Sequence, residues 1–387
     1  MWRYAVRMVS STSLHAIRLF YAAYFAAMGL ILPFFPVYLD GKGLDVVSIG
    51  VMTGLLAVAK IVAPPWIGYL ADRQASGHSR PFIMVSAVGA ALFSISMGAV
   101  DDVWMLAVVV LAFGVLWSAI LPLTDGLSVT ISEAALADYG RLRVWGSIGF
   151  VLASLAGGAW LADGSMDQFP IWVFGLMLIL AVAAVRFPDH RMLQTGRVGA
   201  GADDGFSKPF ILLLMVSFLM QVSHGAYYGF FSLYLVDIGY QGWQIGAFWV
   251  LGVVAEIILM WGWSKPLQQA APAWVLSASL FLASIRWIGI GMTEAWYGLI
   301  FWQLLHAASF ASFHLSAIAW VKRLAPAHRH ATAQGWYSAS GFGLGSTVGI
   351  MGCGVIVALF GFAQAFFVCA GVALLGMLLA WGLPKTQ

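Results

Sequence analysis

The chain has 387 residues, of which 61% are hydrophobic and only 9% charged, with a net charge of +3. An average soluble domain is about 25% charged, so this composition excludes a water-soluble globular protein and makes lipid the solvent. Two cysteines offer no disulfide framework, no metal-ligand spacing is present, and the small net charge gives no basis for nucleic-acid binding.

In chain order, apolar runs near or above the ~20 residues needed to cross a bilayer fall at 14–39, 46–70, 82–100, 103–132, 143–162, 169–187, 209–236, 243–264, 273–291, 296–321, 333–360 and 362–382. Twelve spanning helices are expected, six in each half. The first run follows a short basic segment and is too long for a signal-peptide core, so it reads as the first span. The runs at 46–70 and 333–360 are interrupted by Pro or Gly. With the N-terminus inside, sixteen of the 19 Lys and Arg fall in cytoplasmic segments, and Lys42 alone lies outside. This positive-inside pattern implies a multi-pass plasma-membrane protein, of the bacterial inner-membrane type, with both termini cytoplasmic. The polar, Gly-rich stretch 188–208 reads as a cytoplasmic linker between an N-terminal bundle (1–187) and a C-terminal bundle (209–387).

The chain is doubled. Phe34–Ile61 reappears at Phe230–Ile257 without gaps, and the identities include Phe34/Phe230, Tyr38/Tyr234, Gly43/Gly239, Gly50/Gly246 and Ala59/Ala255. A second, weaker repeat relates Gly149, Phe150, Ser154 and Gly157 to Gly341, Phe342, Ser346 and Gly349. Within the first repeat Lys60 stands where Glu256 stands in the second copy. A doubled membrane protein with a charge in each half reads as a transporter with its site between the halves. The Gly-rich run 341–354 has no preceding strand, so close helix packing explains it better than a dinucleotide fingerprint.

Lys60, Asp125, Glu256 and Arg286 lie in apolar runs, where a charge costs roughly 2.5–3.5 kcal/mol on insertion scales unless it faces a cavity or a partner. Glu256 either loads a proton or forms a static ion pair with Lys60 or Arg286. Asp125 either binds substrate or pairs with Arg143, and Arg143 is near enough to the membrane boundary to be a topology charge. His224 and His314 read as helix–helix hydrogen-bonding residues. Tyr24 and Tyr228 are the aromatics expected to line a cavity. No His-Glu-x-x-His is present, and Ser338-Ala339-Ser340-Gly341 falls short of Gly-x-Ser-Gly, so no enzyme is expected.

The loop Gly68-Tyr-Leu-Ala-Asp72-Arg73-Gln-Ala-Ser-Gly77-His-Ser-Arg80 resembles the signature loop of the major facilitator superfamily, with slightly stretched spacing. The resemblance implies twelve helices in two pseudo-symmetric six-helix bundles, with Asp72 and Arg73 as a cytoplasmic gate. Asp125 and Arg143, eighteen apart and followed by Trp145-Gly-Ser-Ile-Gly-Phe150, together with Glu256, Arg286 and His306, are similar to the proton symporters of the lactose-permease group and its phenylpropionate-permease-like branch. That resemblance implies substrate binding by Asp125 and Arg143, and proton coupling by Glu256, Arg286 and His306. Two positions depart from the sugar-symporter pattern. Ser309 replaces a glutamate three residues after His306, moving the proton carrier to Glu256 or, as the alternative, Asp125, and Phe150 replaces the sugar-stacking tryptophan, which disfavours a disaccharide. Lys60 near the substrate would suit a carboxylate.

The function expected is a monomeric proton-coupled symporter for a small organic solute, with an aromatic or other carboxylate favoured and the proton gradient in place of any cofactor. A sugar or nucleoside symporter and a drug or metabolite antiporter are the alternatives. The 146–158 stretch lacks the Pro of the antiporter Gly-Pro motif.

Overall fold

The computed structural model describes residues 11–74, 80–135, 139–161, 166–187, 206–326 and 329–385, with side chains described except at 11–13, 64–74, 126, 129–135, 139–140, 161 and 331. Among these residues the fold is all-α, and twelve helices are long and apolar enough to cross a membrane. They are α1 (Leu14–Gly41), α2 (Val46–Ala63), α3 (Arg80–Ala99), α4 (Val103–Asp125), α5 (Arg141–Trp160), α6 (Met166–Val185), α7 (Lys208–Asp237), α8 (Gly242–Gln269), α9 (Pro272–Met292), α10 (Trp296–Leu324), α11 (Thr332–Phe360) and α12 (Phe362–Ala380). Their outward faces are apolar, as Trp104, Val85, Trp261 and Met292 show, which is the pattern of helices solvated by lipid.

The chain divides into two compact units. One holds residues 1–42 and 58–195, the other 43–57 and 196–387. Residues 43–57 therefore group with the second unit rather than with the rest of the first half, so the division does not fall at the linker alone. Of the expected linker, 188–205 lies outside the described residues.

In the first unit α1 packs closely on α5. Gly149 lies against the Ala22 backbone and Gly29 against the Phe150 carbonyl, where any Cβ would collide, and the Ser154 hydroxyl donates to the Gly29 carbonyl at 2.9 Å. In the second unit α7 meets α11 in the same way. Gly349 lies against the Val222 backbone and Gly225 against Gly349. Small residues let helices approach where lipid supplies no hydrophobic drive for their association.

The repeat is expressed in local structure as well as in residue type. Gly43 and Gly239 both adopt positive φ, at 82° and 87°, a conformation that favours glycine, at the turn before α2 and α8. One turn earlier, Tyr38 donates to the Met97 carbonyl (2.9 Å) and Tyr234 to the Thr293 carbonyl (3.3 Å). Asp45 caps α2 through the Val47 and Ser48 amides, and Gln241 caps α8 in a capping box with Gln244.

Three helices of the second unit depart from regular α geometry. α7 is two helices, Lys208–Ser223 and Gly225–Asp237, meeting at His224. α10 contains a π-helical turn at Ala307–Ala311 directly after His306, and α11 another at Ala339–Gly345. Such turns rotate the residues that follow and recur at functional sites. Here they matter because they aim the side chains of the second cluster described below.

Candidate functional site

Two clusters of polar side chains lie within the spans, one in each unit. In the first, Pro122 lies inside α4 one turn before Asp125. The Arg143 Nη1 of α5 donates to Asp125 Oδ2 at 2.7 Å, and the Tyr21 hydroxyl of α1 donates to Asp125 Oδ1 at 2.6 Å. Three helices thus converge on one carboxylate, with short charge-assisted bonds. Both charged side chains remain partly exposed, Arg143 at 40% and Asp125 at 28%, so the pair is accessible to a polar ligand.

One turn along α1, Tyr24 is buried and stacks on Trp117 (5.8 Å between centroids), which stacks on Phe113 (5.7 Å). Phe25 lies edge-on to Tyr24 and beneath the Arg143 guanidinium at 5.6 Å. The result is a row of aromatic faces that ends at an Arg–Asp pair. Phe150 is buried at the α1–α5 crossing with its backbone against Gly29. Lys60 is half-buried on α2 and makes no ion pair among the described residues.

The second cluster joins α7, α8, α9 and α10. His306 Nε2 lies 2.9 Å from Glu256 Oε1, so the acid's partner is the histidine. Arg286, fully buried, takes no carboxylate among the described residues. Its Nη2 donates to Gln303 Oε1 at 2.6 Å and its Nε to the Trp302 carbonyl at 2.9 Å, while the Tyr227 and Trp287 rings lie 4.3 and 4.4 Å from its Cζ. Gln303 is in turn fixed by donating to the Phe248 carbonyl (3.0 Å) and the Tyr227 hydroxyl (3.3 Å). A guanidinium stays charged even in such a site, and here neutral acceptors and π faces solvate it.

Tyr228 is half-buried beside these groups, 5.8 Å from His224 and 6.3 Å from Phe310. The π turn lets Phe310 lie parallel to both His306 (5.2 Å, 9°) and His314 (6.2 Å, 3°). His314 Nδ1 is 3.0 Å from the Tyr337 hydroxyl. Ser309, at the position noted for its missing acid, donates to the His306 carbonyl at 3.2 Å.

The structure therefore brings Asp125, Arg143 and Tyr24 together in one unit, and Glu256, His306, Arg286 and Tyr228 in the other. It separates Arg286 from direct ion pairing with Glu256. Asp72 and Arg73 lie outside the residues whose side chains are described. Sequence reasoning passed over Gln303, Trp117 and Trp287. Gln303 could have been found, because it is an amide in an apolar run one helical turn before His306, whereas the two tryptophans carry no sequence signal among 18.

Comparison with known proteins gives consistent matches along the chain. The model of the MFS_1 like family matches residues 14–368. The "Probable 3-phenylpropionic acid transporter" of Escherichia coli (strain K12) is 31% identical over 312 residues, 78% of this chain and 80% of that protein. The maltose permease of Geobacillus stearothermophilus is 28% identical over 334 residues, 85% of this chain and 84% of that protein. Among solved structures the nucleoside transporter NupG superposes with a TM-score of 0.84 at 16% identity, over 98% of this chain and 100% of that one, a likeness of fold.

Proposed function

Because the chain belongs to the MFS_1 like family of the major facilitator superfamily, and so is a transporter of small solutes and not an enzyme, we propose that it is a proton-coupled symporter importing a small aromatic carboxylate. The observation that carries this is the Glu256–His306 pair, 2.9 Å apart within the spans. A carboxylate and an imidazole at that distance share one proton, and a change in the environment of either moves it. The aromatic row that ends at Arg143, with Lys60 in the same unit, supports an aromatic acid as substrate, as does the name of the 31% identical relative.

In this scheme Asp125 and Arg143 orient the substrate, with Tyr24 and Lys60 as further contacts from the same unit. Glu256 and His306 carry the proton, Arg286 supports them, and Asp72 with Arg73 gates the cytoplasmic side. Binding of the anion together with a proton leaves the loaded carrier no more charged than the empty one, which favours crossing by alternating access. The distribution of Lys and Arg supports a bacterial inner-membrane protein with both termini cytoplasmic.

The test is uptake of labelled 3-phenylpropionate into proteoliposomes with the outside made acidic, with maltose and a nucleoside as parallel substrates. Concentrative 3-phenylpropionate uptake that a protonophore abolishes is expected. Uptake indifferent to the pH gradient would remove the symport assignment, and concentrative uptake of maltose or nucleoside in its place would remove the carboxylate.

A further inference from the structure

The break in α7 and the histidine of α10 leave two ring nitrogens without a role in the scheme above. His224 is fully buried, and its Nδ1 lies 2.8 Å from the Met220 carbonyl oxygen. A carbonyl only accepts, so Nδ1 carries the hydrogen and Nε2 of the neutral ring is a bare lone pair. That Nε2 is buried and meets no hydrogen-bond donor among the described residues. His306 is in the complementary state. Its Nε2 faces Glu256 Oε1, and its Nδ1 is buried without a hydrogen-bond partner among the described residues. While Glu256 is ionised, His306 donates from Nε2, and Nδ1 is a second bare lone pair. The two ring centroids lie 6.3 Å apart, so the rings are neighbours within reach of each other directly or through one water.

Two desolvated acceptors so close together are unfavourable unless a donor arrives. Loading a proton supplies it. When a proton reaches His306 Nδ1, directly or through a water, the ring passes its Nε2 hydrogen to the Glu256 carboxylate. The carboxyl is then neutral and donates Oε1–H back to Nε2. The imidazole is neutral again in the other tautomer, and its new Nδ1–H donates toward His224 Nε2. One proton enters, none is left over, and both orphan nitrogens acquire a bond.

We propose that His224 is part of the proton-binding site, as the acceptor that stabilises the proton-loaded tautomer of His306. Its position suits the task. Met220 fixes its tautomer, Trp287 meets it edge-on at 4.8 Å, and Phe310 packs on it at 5.2 Å, so Nε2 stays an acceptor in a fixed place. The other titratable or charged groups facing this proton are Tyr227 and Tyr228 on α7, Glu256 on α8, Arg286 on α9 and His314 on α10. Arg286 and Glu256 act on it with opposite sign, and neither replaces a neutral acceptor. The transport role of the site rests on the symport reading, whereas the tautomer exchange requires only protons.

The experiment is nitrogen NMR of the purified full-length protein labelled with 15N-histidine, titrated with protons and no substrate, with His306→Gln used to assign the signal. In the wild type, His306 is expected to pass from the Nε2–H to the Nδ1–H tautomer as pH falls, and Glu256→Gln to abolish the change. His224→Phe, which keeps a flat ring without an acceptor, should weaken proton loading about tenfold, a shift of about one pH unit in the midpoint. His224→Gln, which returns a neutral acceptor, should recover most of it. An unchanged midpoint in His224→Phe overturns the proposal. So does the absence of any histidine tautomer change across the pH range in the wild type, a result that needs no variant to fold. If the tautomer exchanges as described but a pH gradient drives no uptake in proteoliposomes, the symport assignment fails and the proton site stands.

Discussion

Arg286 donates to Gln303 at 2.6 Å, and this buried cation is held by an amide, a carbonyl and two aromatic faces in place of a carboxylate. The consequence is electrostatic. Glu256 remains available to His306, since the guanidinium beside it has its own neutral partners. Replacing Gln303 with Leu strips the charged group of one hydrogen bond in a dry site, an effect of about 1.5–3 kcal/mol. A clear fall in the thermal unfolding midpoint of the purified Gln303→Leu protein is expected, and an unchanged midpoint would show that the amide does not hold the guanidinium.

Glu256→Gln keeps the shape of the acid and removes its charge. Substrate counterflow between equal concentrations is expected to persist at near wild-type rate, while accumulation driven by a pH gradient disappears. Full gradient-driven accumulation by this variant would remove Glu256 from the proton path.

Asp125 is held from two sides, by Arg143 and by the Tyr21 hydroxyl. Asp125→Ala should weaken substrate binding by about ten- to a hundredfold, the size of a lost bond to a charged group, and Tyr21→Phe should weaken it less. Binding measured by displacement of a labelled substrate checks both. Equal effects from the two substitutions would mean that the carboxylate charge is not what matters.

The close crossing of α7 and α11 predicts a contrast between two glycines close together in the sequence yet unlike in surroundings. Gly349 faces the Val222 backbone, whereas nothing lies within 4 Å of a Cβ built on Gly352. Gly349→Ala should destabilise by about 1–3 kcal/mol through overpacking. Gly352→Ala should be neutral or favourable by up to about 1 kcal/mol through helix propensity. Parallel unfolding curves of the two variants decide it.

Asp45, in the loop outside the spans, accepts hydrogen bonds from the Ser48 hydroxyl and from the Ser48 and Val47 amides, and these hold its carboxyl below the usual carboxylate range. A depressed folded value means the cap stabilises at pH above the ordinary carboxylate value and is lost as pH falls through the folded one. Asp45→Ala should cost about 0.5–2 kcal/mol at neutral pH, with the difference from wild type shrinking in acid. A constant difference across that window would mean the carboxylate charge plays no part in the cap.

Much of the architecture was legible in the residues. Twelve apolar runs must be helices because lipid offers no partner for an open backbone. Gly43 and Gly239 mark matching turns because positive φ suits glycine. The Asp125–Arg143 partnership was one of the options left open at the sequence level, and the fold realises it at 2.7 Å. Gln303 was legible only in part: a lone amide one turn before His306 is visible in the sequence, but its bond to Arg286 is not.

What the amino-acid sequence determined by itself is the membrane fold, its doubling and the short roster of charges placed in lipid, since these follow from local composition and periodicity. Only the tertiary structure decided who partners whom. From the sequence Glu256 is expected to load a proton or to pair with Lys60 or Arg286, and it takes His306, while Arg286 bonds Trp302 and Gln303 of a neighbouring helix through Nε and Nη2. Residues 43–57 join the second unit although they precede the linker, and His224 interrupts its helix with one ring nitrogen unmatched. Such choices depend on helix rotation and crossing distance, set by packing among residues far apart in sequence, and no window along the chain contains them.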